Sequence, residues 1–263
     1  MIQIKNMATF ARMHRLLLIK NLHFVDTFSW KDHVTSGKKT LLVISHGPPF
    51  GPILYLSAMI PYFDDNGCGD ISFSIIPHPI LHRLPVINNA CSLPAGFKRR
   101  YSVGDYVSAF KDDNLDALVV APEGEYCLYG NGIDIQPFRS PRSIEIALKA
   151  DCEIVLSVAS GFESWQKKID IQSPFRRLLV KTLGFPPPRL FIVDEEHFEK
   201  AETFSMQLPP RRVKDFYVYS KFYKPLLKAD DLSDDEDIKI KQLWAEAERM
   251  REEMQKMADE LKE

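Results

Sequence analysis

Two residues in this chain have types and settings that suit proton transfer, His46 and Glu123. His46 follows four apolar residues, 41–44, and opens the turn His46-Gly47-Pro48-Pro49-Phe50-Gly51-Pro52. Glu123 follows a second apolar run, 117–121, in the segment Pro122-Glu123-Gly124-Glu125. Histidine changes charge near neutral pH and serves as a general base. The residues after Pro52 read as a helix, and the unpaired amides at a helix start favour negative charge. A base beside an anion-stabilising pocket is the arrangement that acyl transfer needs. A histidine capping a tight turn is the plainer reading of the same stretch.

The elements that must position these residues follow from the apolar pattern. Residues 41–44 and 117–121 read as buried strands, 71–76, 152–158 and 190–193 as further strands. Helices are expected over 53–60, with Pro52 in the first turn, and over 101–111 and 143–150. This alternation predicts an α/β fold with a mostly parallel central sheet flanked by helices. In such sheets ligands bind beyond the carboxyl ends of the strands. His46 and Glu123 should therefore meet at one sheet edge. The segment 201–224 is aromatic-rich and has no clear placement.

The ends of the chain read differently. Residues 6–24 suggest a basic amphipathic helix, able to pack on the domain or to lie in a membrane interface. Residues 174–185 form a second basic and apolar segment. A last helix over about 236–261 carries Leu243, Ala247, Met250, Met254, Met257 and Leu261 at coiled-coil spacing. It could dock on the domain or pair with a partner, including a second copy. The expected division is 1–36 as an N-terminal helical segment, 37–228 as the α/β domain, and 229–263 as an acidic linker and C-terminal helix.

Composition narrows the function classes. With 45% hydrophobic and 27% charged residues, the 263-residue chain is that of an ordinary globular protein. A net charge of -2 gives no general attraction to nucleic acid. Four scattered cysteines without a CxxC pair favour free thiols in a reducing compartment over disulfides or zinc. His78 and His82 have helical metal-ligand spacing but no third ligand nearby in sequence, so no metal is expected. No signal peptide is evident, and no apolar run approaches the ~20 residues that span a bilayer. A cytoplasmic protein is expected, at the inner face of a membrane if the basic segments touch lipid. Phe97-Lys98-Arg99-Arg100 is a basic cluster that could hold an anion.

The order strand-His46-GPPFG-Pro52, a proline-rich middle, VVAPEG, then IALKADCEIVLSVASG resembles the lysophospholipid and glycerolipid acyltransferase superfamily over about residues 37–165. The resemblance implies transfer of a fatty acyl group from a thioester, acyl-CoA or acyl-carrier protein, to a lipid or other small hydroxyl or amine acceptor, without a resident cofactor. It implies His46 as general base, with Glu123 positioning the acceptor or the imidazole. It further implies the segment from Gly47 through Gly51 to Ile53 as oxyanion donors, with Gly124 and Glu125 at the acceptor. The family's block is a histidine, four residues, then an aspartate. Here that last position is Gly51. Replacing the comparable aspartate of the serine-protease triad costs about 10⁴ in turnover. Glu123, Glu125, Asp64, Asp65 and Asp134 are the carboxylates that could substitute. The family's EGTR block here reads Glu123-Gly124-Glu125-Tyr126, so a phosphate would meet Glu125 unless Arg139, Arg142, Arg99 or Arg100 holds it. Two further readings stay open: a lipid-binding or interaction protein that has lost catalysis, and a thioester hydrolase.

Overall fold

The computed structural model describes residues 2–76, 101–130, 134–184 and 195–262. In chain order the elements are β1 (Ile2–Gln3), α1 (Ile4–Leu18), β2 (Ile19–Asp26), α2 (Trp30–Thr35), β3 (Thr40–Ile44), α3 (Gly51–Asp65) and β4 (Ser72–Ile75). After these come α4 (Val103–Lys111), β5 (Ala117–Val120), a 3-10 turn over Gly124–Tyr129, α5 (Arg142–Lys149) and β6 (Glu153–Ser160). The rest is β7 (Gln166–Asp170), α6 (Pro174–Leu183), α7 (Glu195–Lys200), β8 (Thr203–Gln207), β9 (Val213–Tyr223) and α8 (Glu236–Glu260).

Seven strands form one sheet in the order β1-β4-β5-β3-β6-β9-β2, and β7 and β8 make a separate antiparallel ribbon. The pairs β4–β5, β5–β3, β3–β6 and β9–β2 are parallel; β1–β4 and β6–β9 are antiparallel. The α/β expectation therefore holds. All five residues of β3 are buried, as befits a central strand covered on both faces. Its alternate side chains serve two cores. Leu41 and Val43 pack with Phe110 of α4, Ile144 of α5 and Met254 of α8. Leu42 and Ile44 pack with Ala8 of α1 and Leu54 and Met59 of α3.

The N-terminus corrects one expectation, and the C-terminus takes one of the two readings left open. The helix expected over 6–24 ends at Leu18, and Ile19 continues directly as β2, paired with β9. From Asn21 to Asp26 the more exposed residues alternate with Leu22, Phe24 and Asp26, the period of a strand. The methionine seam of α8 is spent inside this chain: Leu243, Met250, Met254 and Met257 are buried in the core beneath it. β1 and β2 thus join the seven-stranded sheet, and α1 and α8 pack in its two cores. The strand expected at 190–193, His78, His82, Arg99 and Arg100 lie outside the described residues.

Candidate functional site

The carboxyl ends of β3 and β5 are adjacent in the sheet, and the chain leaves them at Ser45-His46 and Ala121-Pro122-Glu123. Glu123 is only 2% exposed. Its Oε1 accepts from the His46 amide at 2.7 Å, and its Oε2 accepts from the Gln136 amide at 2.7 Å. One carboxylate thus joins the ends of two strands to the loop leading into α5. Burial pushes the Glu123 carboxyl up to about 7, against the opposing pull of these two amides and the Arg251 charge. The amides it holds belong to the main chain, which makes it a positioning residue for the His46 turn.

The turn itself is built around two glycines. Gly47 has φ +61°, and a Cβ there would stand 2.2 Å from Cζ of Phe162. At Gly51 a Cβ would stand 2.2 Å from the carbonyl oxygen of His46. The chain folds back so tightly that only glycine fits. The Gly51 amide donates to Pro48 O at 2.7 Å, and the Phe50 amide donates to Gln207 Oε1 at 3.2 Å. Gln207 is buried and donates in turn to the carbonyls of Trp165 and Leu208. Behind the turn, Ser45 Oγ accepts from the Ala159 amide at 3.1 Å.

These bonds narrow the expected oxyanion donors. Prolines 48, 49 and 52 have no N–H. The amides of Phe50, Gly51 and Ile53 are committed to Gln207, Pro48 O and Phe50 O. Gly47 keeps the one amide of the segment without a partner among the described residues. It is next to His46 in sequence.

The other candidate residues fall into separate places. Glu125 is buried and paired with Arg139, whose Nε lies 2.7 Å from its Oε1. The negative charge expected to repel an acceptor's phosphate is thereby matched, and Arg139 is committed to it. The Arg139 guanidinium also lies 5.7 Å from the centre of the Tyr126 ring, which stacks on His197 with ring centres 4.2 Å apart. Gly124 follows Glu123 at φ +53°, a conformation that favours glycine. Arg142, exposed, begins α5. Asp64 and Asp65 hold Arg12 at the far end of α3, roughly 21 Å of helix from Gly51. Asp134 lies 3.5 Å from Lys262. Of the five candidate carboxylates, Glu123 accepts from the His46 amide. Buried Cys127 is held protonated by desolvation and by the charges of Glu123 and Glu125, so it supplies no thiolate here.

Gln207 and Phe162 were not singled out in sequence. Gln207 lies in the unplaced segment 201–224, and nothing in its neighbours signals a bond to residue 50.

Among the described residues no helix is long and apolar enough to cross a membrane. No protein-family model matches the sequence, and no curated protein matches it. Among solved structures, the chain is similar to the 1-acyl-sn-glycerophosphate (LPA) acyltransferase PlsC from Thermotoga maritima, at 15% identity and a TM-score of 0.42, over 95% of this chain and 78% of that one.

Proposed function

We propose that this chain is an acyltransferase that moves a fatty acyl group from acyl-CoA or acyl-carrier protein to a lipid bearing a free hydroxyl or amine. The observation that carries this reading is His46 at the carboxyl edge of the sheet, its amide fixed by buried Glu123 and the Gly47 N–H beside it. His46 takes the acceptor's proton as its oxygen or nitrogen attacks the thioester carbonyl. The Gly47 amide receives the developing oxyanion. The thiolate leaves and collects the proton from the imidazolium. Arg142 contacts an acceptor's phosphate or the donor's, since Arg139 is held by Glu125.

Contact with a lipid surface is part of this proposal. Helix α6 buries only Val180 of its apolar residues and turns Phe175 (74% exposed), Leu178, Leu179 and Leu183 (74% exposed) outward. The same helix keeps Arg177 and Lys181 against α7, bonded to the Phe198 carbonyl and to Glu195. An outward apolar stripe of this kind suits the interface of a bilayer.

The test is acceptor-dependent thiol release from a panel of donors. The His46→Ala protein should lose activity by roughly 10²–10⁴-fold, the usual contribution of a general base. Full activity in that variant would refute the mechanism. A second reading is favoured by the Gly51 geometry, which leaves no room for an aspartate: a lipid-binding protein without catalysis. Lipid binding with no thiol release across the panel would select it, and acceptor-independent release would select a hydrolase.

A further inference from the structure

At the opposite end of β3 from His46, an apolar cavity of about 250 Å³ lies between the sheet and α3. Trp30, Leu42, Tyr55, Met59 and Phe73 line it, and the first residue of β3, Thr40, faces it from the same side of the sheet as Leu42. The cavity reaches solvent past Lys38 and Asp70, whose side chains are 56% and 86% exposed. Behind Thr40 stands a buried histidine. His33 of α2 places Nε2 2.7 Å from Thr40 Oγ1 and Nδ1 3.0 Å from Glu153 Oε2 at the start of β6.

The chemistry of the partners assigns the protons. A carboxylate only accepts hydrogen bonds, so the Nδ1 facing Glu153 carries the hydrogen. Burial holds His33 below its ordinary pKa, against the raising effect of Glu153, so the ring is neutral near pH 7. Its Nε2 is then an acceptor, and the Thr40 hydroxyl donates to it. A hydroxyl donating to an imidazole that a carboxylate orients is the arrangement that activates an oxygen nucleophile. Glu153 is itself held by Lys38, a cation that also lines the cavity. A dry cavity of about 150 Å³ takes up benzene, so 250 Å³ admits an acyl chain several carbons longer.

We propose that Thr40, His33 and Glu153 form a second catalytic site, an esterase for small apolar acyl esters. It does not depend on the acyl-transfer reading of His46. Thr40 Oγ1 attacks the acyl carbonyl carbon while His33 Nε2 takes the hydroxyl proton, and the carbonyl oxygen becomes the oxyanion. The bond from carbonyl carbon to the alcohol oxygen breaks, and His33 gives its proton to that oxygen. Water then adds to the acyl-Thr40 ester, passing a proton to Nε2. The acyl–Oγ1 bond breaks, the proton returns to Oγ1, and a carboxylic acid leaves. Glu153 is the positioning residue that keeps Nε2 turned toward Thr40.

The experiment uses the full chain carrying His46→Ala, so that only the second site can turn over, with p-nitrophenyl esters of two- to eight-carbon acids. The expected result is hydrolysis above the solution rate, lost at least 100-fold in Thr40→Val and restored to within tenfold by Thr40→Ser. Mass spectrometry of the quenched reaction should find the acyl group on Thr40. Glu153→Gln should lower kcat at least tenfold with KM unchanged. No hydrolysis by the folded protein at any chain length would overturn the proposal. So would full hydrolysis in Thr40→Val, or a loss there that serine fails to restore.

Discussion

Replacing Gly51 by aspartate writes the His-x4-Asp spacing of the acyltransferases into this chain, and the structure says it should fail. The new Cβ would stand 2.2 Å from the carbonyl oxygen of His46 and 3.2 Å from Cδ of Pro48. The first contact is main chain and cannot swing aside. That carbonyl belongs to the residue tied by Glu123, and the turn is pinned further by Gly51 N to Pro48 O and Phe50 N to Gln207. Overpacking costs typically 1–3 kcal/mol, and a main-chain clash belongs near the top, about 3 kcal/mol. At roughly 2–4 °C per kcal/mol for a chain of this size, Tm should fall by about 6–12 °C. Gly51→Ala carries the same Cβ without the carboxylate and should show most of that fall. Calorimetry measures both, and thiol release measures activity, which neither variant should raise. A Gly51→Asp protein with unchanged Tm and faster acyl transfer would refute the steric argument and restore the aspartate reading.

Glu123 predicts a pH dependence. Its carboxyl is raised from 4.5 to about 7, so between these values the native state holds a proton that the unfolded chain releases. Stability should therefore fall as pH rises through this window and level off above it, by about 3 kcal/mol at 1.36 kcal/mol per pH unit. Glu123→Gln should flatten that slope in denaturation curves taken at several pH values. It should also cost roughly 1–3 kcal/mol near pH 5, because its amide nitrogen cannot accept from one of the two amides. Arg139→Ala removes the charged partner described for buried Glu125 and should cost about 2 kcal/mol, less than breaking a fully buried pair because Arg139 is half-exposed. Adding Glu125→Gln should recover most of that loss in urea denaturation, and a purely additive double mutant would argue against the pairing. Phe175→Ser with Leu183→Ser should leave Tm unchanged and weaken flotation with anionic vesicles roughly tenfold per residue, the effect of losing about 1.5 kcal/mol of burial each.

The apolar runs were enough to place β3, β5 and β6, because strands buried on both faces read as continuous hydrophobic segments. They were not enough for β2 and β9. No glycine or proline separates α1 from β2, so in sequence the helical pattern runs on to residue 24. In β9 the buried positions Phe216, Val218 and Ser220 alternate as a strand should, but Lys214 and Lys221 near its ends and a buried serine blur the pattern. Ser220 is tolerated because its Oγ lies 3.0 Å from Ser157 Oγ on the neighbouring strand. The C-terminal seam was legible as a pattern, and its partner was not. Spacing says that a stripe is apolar, whereas what covers it depends on which elements the topology brings alongside.

The site shows the same division between composition and contact. His46 and Glu123 were visible because each ends a strand, and parallel neighbours bring strand ends together. By the family resemblance, Gly51 is expected at the aspartate position of the His-x4-Asp block. Read in space, it is the residue that lets the His46 carbonyl fold back onto the start of α3. A turn folded this tightly must have its main chain held in place by some means. Here the means are main-chain bonds: Glu123 to the amide of His46, and Gln207 to the amide of Phe50. Such bonds fix the backbone on either side of Gly47 and leave its amide uncommitted among the described residues. The tethers are buried, so they depend on packing around Glu123 and Gln207, which lie 84 residues apart in sequence. Distance of that kind has no trace in a local motif, which is why the histidine could be read from the sequence and its support could not.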